Sequence, residues 1–273
     1  MTGNEGSVIV EPVVADAVVA DAAVVADVPD VDVKAGGHGV FEKPFRVDEW
    51  NPKTSLGRRV KNGEITGINQ ILDSGLRILE PEIVDALLPN LSAEMLMVGQ
   101  AKGKFGGGQR RTFRQTQKKT AEGNKPSFAA FVVVGNRDGY VGLGYGKSKE
   151  TVPAREKALR SAKLNIMKVR RGCGSWQCFC KSPHSIPLQV SAHVGSITIK
   201  LIPAPKGAGL RVASECRKLL SAAGITDVWS QTLGTTQTTI NLVSACFNAL
   251  KKLNRMKLRD KQIEELGISE GGK

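Results

Sequence analysis

The apolar pattern in the middle of the chain predicts two strands followed by a helix. Residues 128–134 form a compact run of β-branched and aromatic side chains, which is typical of a buried strand. A turn rich in Asn, Asp and Gly follows at 135–139, and a second strand is expected at 140–146. Glycines in this second strand permit another backbone to approach it closely.

From Glu150 the apolar spacing changes to that of a helix. One face of this helix should carry Ala158, Ala162, Ile166 and Val169. Its other faces should carry basic residues, namely Arg155, Lys157, Arg160 and Lys163.

Shorter patterns precede this unit. Residues 65–79 have helical spacing, and the side chains expected in the core are Ile68, Ile71, Leu72, Leu76 and Leu79. A short helix is expected from Glu82 to Leu88, and a strand at 95–98.

The second half of the chain has the pattern of another α/β unit. Strands are predicted at 186–190, 196–203 and 225–229, and helices at 212–223 and 240–253. Gly224 is expected to cap the first of these helices. The chain after Arg259 is a polar tail.

Charge is distributed unevenly along the 273 residues, whose formal net charge is +13. The first 50 residues hold three of the 39 basic residues and ten of the 26 acidic ones, which leaves 36 basic and 16 acidic residues in the rest. A body this basic points to a polyanionic partner. No apolar run approaches about 18 residues, and no signal peptide is visible, so a cytoplasmic protein without a membrane partner is expected.

The acidic segment at 1–50 repeats the motif VVAD three times and is expected to have no packed core. Two interpretations stay open for it. It either keeps a basic protein soluble before assembly or has no specific role.

The most basic stretch is the loop at 102–119, which has no acidic residue. We expect it to contact RNA phosphates through Lys102, Lys104, Arg110, Arg111, Arg114, Lys118 and Lys119. Phe105 and Phe113 are interleaved with these cations and are candidates for stacking on unpaired bases. A solvated basic loop is the alternative.

The central segment FVVVGNRDGYVGLGYGKSKETVPAREKALRSAKLNI resembles small-subunit ribosomal protein five. LIPAPKGAGL, AAGITDVWSQTLG and ACFNALKKL in the second half resemble the same family, in its archaeal and eukaryotic branch. The resemblance implies an α+β fold, with an N-terminal domain similar to a double-stranded-RNA-binding fold and a C-terminal left-handed β-α-β domain. The expected divisions are 1–50, 51–168, a Cys-rich linker at 169–184, 185–258 and a tail at 259–273.

The resemblance also implies a function. The protein would be a structural, cytoplasmic, ribosome-bound constituent of the small subunit that binds rRNA and supports translational accuracy. It would lie beside the path by which mRNA enters and would contact small-subunit ribosomal protein four through its second domain. Further rRNA contacts are expected from Arg137, Lys147, Lys149, Arg155 and Lys206.

The linker holds four residues of the types that bind zinc. Cys173, Cys178, Cys180 and His184 have the spacing C-x4-C-x-C-x3-H, which can make a closed tetrahedral site. Because C-x-C is tighter than the usual C-x2-C, reduced and partly buried thiols remain the alternative. No cofactor is required by the rest of the interpretation.

An enzyme is the competing class of function. The glycines at 142–146 miss P-loop spacing by one residue, whereas PAPKGAG at 203–209 resembles the phosphate loop of small-molecule kinases. A kinase also needs carboxylates for Mg²⁺, but Glu215 is expected to face outward. The histidines, including His184, have no obvious acidic partner at motif spacing. We therefore expect no catalysis and no small-molecule substrate; the amides of Gly207 and Gly209 would meet an rRNA phosphate or simply make the turn.

Overall fold

The computed structural model describes residues 50–100, 110–178 and 180–271. The acidic N-terminal segment, apart from Trp50, lies outside these residues. Three short helices come first: α1 (Ser55–Lys61), α2 (Ile68–Asp73) and α3 (Glu82–Leu87).

Helix α2 is shorter than the pattern at 65–79 predicted. It ends at Asp73, and Gly75 then adopts a left-handed conformation with φ of +70°. Ile68 and Ile71 are buried as predicted. Leu76 and Leu79 lie beyond the helix and are 45% and 61% exposed, so their assignment to the core was wrong.

Five strands form the first sheet: β1 (Ser92–Met95), β2 (Arg114–Thr120), β3 (Gly123–Gly135), β4 (Tyr140–Ser148) and β5 (Ile166–Lys168). Strands β1 and β2 pair with different halves of one side of β3, β4 pairs with its other side, and β5 pairs with β4. All these pairs are antiparallel. The strand predicted at 95–98 is displaced, because β1 ends where it was expected to begin.

Helix α4 (Thr151–Leu164) covers one face of this sheet. The glycines of β4 lie directly against it: an added Cβ would overlap the backbone at Ala162 from Gly142, at Ala158 from Gly144, and at Ala154 from Gly146. The backbone that these glycines were expected to admit is therefore that of α4.

The end of α4 differs from the prediction. The helix stops at Leu164, so Ile166 belongs to β5 and Val169 lies beyond it. Lys163 was expected on an outer face but is buried, with its Nζ 2.9 Å from Asp85 Oδ1 in α3. This ion pair joins α4 to the preceding helices.

The second sheet has the order β7–β8–β10–β9. The short strand β6 (Arg170–Arg171) precedes it and belongs to another sheet. The elements that follow are β7 (Val190–Val194), β8 (Ile197–Pro203), β9 (Leu210–Arg211), α5 (Ser214–Ala222), β10 (Val228–Leu233) and α6 (Thr239–Arg255). Because β9 and β10 are parallel, β9–α5–β10 is a β-α-β unit. Two predicted strands are shifted, from 186–190 to β7 and from 225–229 to β10. Gly224 follows α5 with φ of +78°, as expected for its cap.

The polar tail is structured. Helix α7 (Asp260–Leu266) is followed by β11 (Ser269–Glu270), which pairs antiparallel with β6. Arg170 Nε donates to Glu270 Oε1 at 2.5 Å, and Lys168 contacts both Glu270 and Asp73.

One apolar core continues from the first sheet into the second. Phe131 and Val133 of β3 and Leu143 of β4 belong to the same buried cluster as Leu219 and Leu250 of α5 and α6. The two halves of the chain therefore share an interior. Among the helices in the part of the chain that the structure describes, none has the length and apolar content to cross a membrane.

Candidate nucleic-acid interface

Most of the cations predicted to meet RNA lie on the surface. The exposed ones are Arg111, Arg114, Lys118, Lys119, Arg137, Lys147, Lys149 and Lys206, whereas Arg110 and Arg155 are half-buried. Lys102, Lys104 and Phe105 lie outside the described residues.

Strand register brings Arg114 and Lys147 together. Both are paired with Ala129 of β3, on its two sides, so their side chains project from the same face of the sheet. Two residues from Lys147 in β4 and from Ala129 in β3, the same face carries Tyr145, which is paired with Phe131. Further along β2 it carries Lys118, which is paired with Lys125. We call Arg114, Lys118, Lys125, Tyr145 and Lys147 the basic sheet face.

Tyr145 is the aromatic residue that this face presents to solvent. It is 46% exposed and makes an edge-on contact with Phe131, with ring centroids 6.3 Å apart. Tyr145 was not among the residues predicted to contact RNA. The alternation along β4 carried the signal, because Tyr145 and Lys147 fall on the same side of that strand.

Phe113 is less exposed than Tyr145. Its side chain is half-buried against the cluster that includes Met95 and Ala130. Part of its ring therefore packs on the protein, and stacking of Phe113 on RNA stays a prediction.

Arg110 lies beside a cleft of about 710 Å³, which is also lined by Arg111, Arg114 and Phe128. Arg110 Nη1 donates to the carbonyl oxygen of Gln237 at 3.3 Å, which ties this segment to the second sheet's half of the protein. The backbone is also fixed, since Arg111 O accepts from the amide of Gly99 at 2.8 Å. The two arginines thus extend from a held backbone.

Arg137 lies at the opposite end of the β3–β4 hairpin from Lys147. It has a left-handed φ of +58°, as the predicted turn requires. Its amide donates to the carbonyl oxygen of Ala222 at 2.9 Å, so the turn is docked on the end of α5. Arg137 is therefore exposed but does not belong to the basic sheet face.

The glycine-rich loop at 203–209 is held by a carboxylate of the protein itself. Asp227 Oδ1 accepts from the amides of Gly207 at 3.1 Å and Gly209 at 2.8 Å. Burial alone would raise the Asp227 pKa, but hydrogen bonds from Gly209, Thr226 and His184 outweigh it, so the pKa is lowered. The two amides make the turn, and Lys206 is left exposed.

One expectation about acidic residues was wrong. Glu215 is buried instead of facing outward, and its Oε2 accepts from the amide of Met97 at 2.9 Å. The fold also gives His184 an acidic partner far outside motif spacing, because its Nδ1 is 2.9 Å from Asp227 Oδ2.

The four zinc-type side chains of the linker converge. The ligand atoms of Cys173, Cys178, Cys180 and His184 all lie within 4.8 Å of one another. Burial, followed by a hydrogen bond with Cys180, raises the pKa of Cys173 to about 11. A hydrogen bond with Ser182 is the main cause that lowers the pKa of Cys180 to about 6.

Comparison with known proteins identifies the family. The family description "Ribosomal protein S5, N-terminal domain" matches residues 110–170, and "Ribosomal protein S5, C-terminal domain" matches residues 192–265. Small ribosomal subunit protein uS5 of Nanoarchaeum equitans is 49% identical over 225 residues, which are 82% of this chain and 96% of that protein. The protein of the same name from Methanocaldococcus jannaschii is 50% identical over 227 residues, 83% of this chain and 98% of that protein. The chain therefore belongs to the ribosomal protein S5 family, as its resemblance in sequence predicted.

Proposed function

We propose that this protein binds rRNA in the small ribosomal subunit through the basic sheet face and supports translational accuracy from that position. Its family makes it an RNA-binding ribosomal protein acting in translation and not an enzyme. The observation that carries the proposal is the shared row of Arg114 and Lys147 beside the exposed ring of Tyr145.

The chemistry of this face suits an RNA backbone. Arg114, Lys118 and Lys147 are cations on a rigid sheet, so each can neutralise a phosphate without ordering a loop first. Tyr145 offers a flat ring at one end of this row, beside Lys147, on which an unpaired base or a ribose can pack. Other proposed contacts lie outside the basic sheet face: Arg110 and Arg111 before β2, Lys119 in β2, Lys149 after β4 and Arg155 in α4. Lys102 and Lys104, outside the described residues, stay predicted contacts.

We infer that the protein partner binds the outward face of the second sheet. Trp229 in β10 is paired with Ile202 on one side and Arg211 on the other, and it is 36% exposed. Leu233 on the same side of β10 is 51% exposed. Exposed aromatic and aliphatic side chains with an arginine are enriched in protein interfaces, and the proposed partner is small-subunit ribosomal protein four.

Accuracy would follow from the stability of that contact. The protein would lie between the head and body of the subunit, close to where mRNA enters. Domain closure during decoding would then break or remake the interface at Trp229, so its free energy would shift the balance between open and closed subunits. This role is one of gating and involves no chemical step.

The proposed RNA contacts are made by side chains of the protein alone, so they need no cofactor, and a zinc ion in the linker would be structural. The site of action would be the ribosome in the cytoplasm.

Binding to a small-subunit rRNA fragment, measured over a range of salt concentrations, tests the RNA proposal. Arg114→Ala with Lys147→Ala should lower affinity and flatten the salt dependence by about two phosphate equivalents. Lys251→Ala with Lys252→Ala on α6 removes the same charge elsewhere and is the control. An equal change in both double variants would show that net charge, and not the basic sheet face, determines binding.

A further inference from the structure

The linker cluster lies between the two segments that the family descriptions match, 110–170 and 192–265. In a tetrahedral zinc site with Zn–S bonds of about 2.3 Å, neighbouring ligand atoms are about 3.7 Å apart. Cys178 Sγ is 3.9 Å from His184 Nε2, and the full set lies within 4.8 Å. We propose that the protein holds one structural Zn²⁺ ion through Cys173, Cys178, Cys180 and His184, and that Asp227 is the positioning residue of this centre.

The orientation of His184 supports a metal site. Its Nδ1 is 2.9 Å from the buried carboxylate of Asp227, and its Nε2 faces Cys178. An imidazole whose Nδ1–H donates to a carboxylate keeps its Nε2 lone pair free for a metal. Sequence spacing could not show this arrangement, since the two residues are 43 positions apart.

Hydrogen bonds hold the described backbone at both ends of the cluster. The amide of Cys173 donates to Leu266 O at 2.8 Å, and Gly172 exchanges two hydrogen bonds with Ser185. An added Cβ on Gly174 would overlap the carbonyl oxygen of Pro187, so this turn needs glycine. The backbone that carries the ligands is therefore already ordered, which lowers the entropic cost of bringing them around an ion.

The donor set defines the kind of site. Three thiolates and one neutral imidazole complete a tetrahedral shell, which leaves no position for substrate or water. On binding, the thiols release their protons to solvent and each sulfur donates an electron pair to Zn²⁺. Without metal, Cys173 Sγ can donate to Cys178 O at 2.9 Å, and Cys180 Sγ lies 3.0 Å from Ser182 Oγ. Loss of one ligand should therefore leave the rest of the protein folded.

Asp227 extends the effect of the metal to the glycine-rich loop. One of its oxygens faces His184, and the other accepts from the amides of Gly207 and Gly209. Zinc that fixes His184 should thus also fix the carboxylate that holds the loop carrying Lys206.

Native mass spectrometry and metal analysis of the full chain, purified under reducing conditions, test the site. We expect one zinc per chain, removed by chelator, and a Co²⁺-substituted form with the absorption of a tetrahedral thiolate site. Cys180→Ser, at an exposed ligand, should weaken zinc binding at least about tenfold, whereas His193→Ala and Cys216→Ala, outside the cluster, should keep it. Folded wild-type protein that binds neither Zn²⁺ nor Co²⁺, or that holds iron instead, would overturn the proposal.

The role of Asp227 has a separate readout. Asp227→Asn still offers an oxygen to the loop amides, but zinc affinity in chelator competition should fall about 10- to 100-fold. Chelation of the wild-type protein should also speed hydrogen exchange at Gly207 and Gly209. Unchanged affinity in Asp227→Asn would remove the positioning role while leaving the zinc site itself in place.

Discussion

Gly144 in β4 lies so close to Ala158 in α4 that a Cβ at position 144 would come nearer than 3.0 Å to the Ala158 carbonyl oxygen. Neither backbone can move away without opening the sheet or lifting the helix. Gly144→Ala should therefore destabilise the protein by about 3 kcal/mol, measured by chemical denaturation. Gly67→Ala is the control, because nothing lies within 4 Å of its added Cβ, and its cost should stay below about 1 kcal/mol. Equal stability of both variants would contradict the close packing of α4 on β4.

Lys168 makes part of the stability depend on pH in the alkaline range. Burial lowers its pKa, but hydrogen bonds and ion pairs with Asp73 and Glu270 outweigh this and raise it above 10.5. A raised pKa in the folded state contributes stability that is fully present below 10.5 and is lost as pH rises through the folded-state value. The difference in unfolding free energy between wild type and Lys168→Met should therefore be constant near neutral pH and shrink above 10.5. Lys251→Met, at an exposed lysine of α6, is the control for removing one positive charge.

Tyr145 should contribute to RNA affinity without contributing charge. Tyr145→Ala removes the exposed ring and should weaken binding to a small-subunit rRNA fragment by about 1–3 kcal/mol, with an unchanged salt slope. Tyr145→Phe keeps the ring and should bind nearly as wild type. A change in slope, or an equal loss in both variants, would mean that the ring does not pack on RNA.

Trp229 should anchor the protein partner. Trp229→Ala should weaken the complex with small-subunit ribosomal protein four by about 2 kcal/mol, measured by calorimetry, and should leave RNA affinity unchanged. Gln231→Ala, on the same exposed side of β10, should have a smaller effect. If both variants bind the partner as wild type does, the interface lies elsewhere.

The β3–β4–α4 unit was predictable from local sequence, whereas the end of its helix was not. The apolar run in β3, the turn at Arg137 and the glycines of β4 each carry a short-range signal, and each element is present. The predicted helix extended beyond the observed end of α4, because Ile166 and Val169 continue the helical spacing. In the structure Ile166 instead pairs with Gly142 in the sheet. Local periodicity contains no information about that pairing.

The candidate site shows the same division. Charge alone selected Arg114 and Lys147, but only strand register shows that they flank Ala129 on one face. The burial of Glu215 depends on the amide of Met97, 118 residues away. Contacts over such separations have no trace in the spacing of a single sequence.

The core that runs from Phe131 to Leu250 has a mechanical consequence. Two domains joined only by a flexible linker could each move with its own partner. Two domains that share a core must move together. A shift imposed at Trp229 by a neighbouring protein would then be felt as strain at Tyr145, because the intervening side chains are close-packed and resist compression. The protein would therefore be a rigid connection between its two proposed partners, so that weakening the contact with one partner would change the strain at the contact with the other.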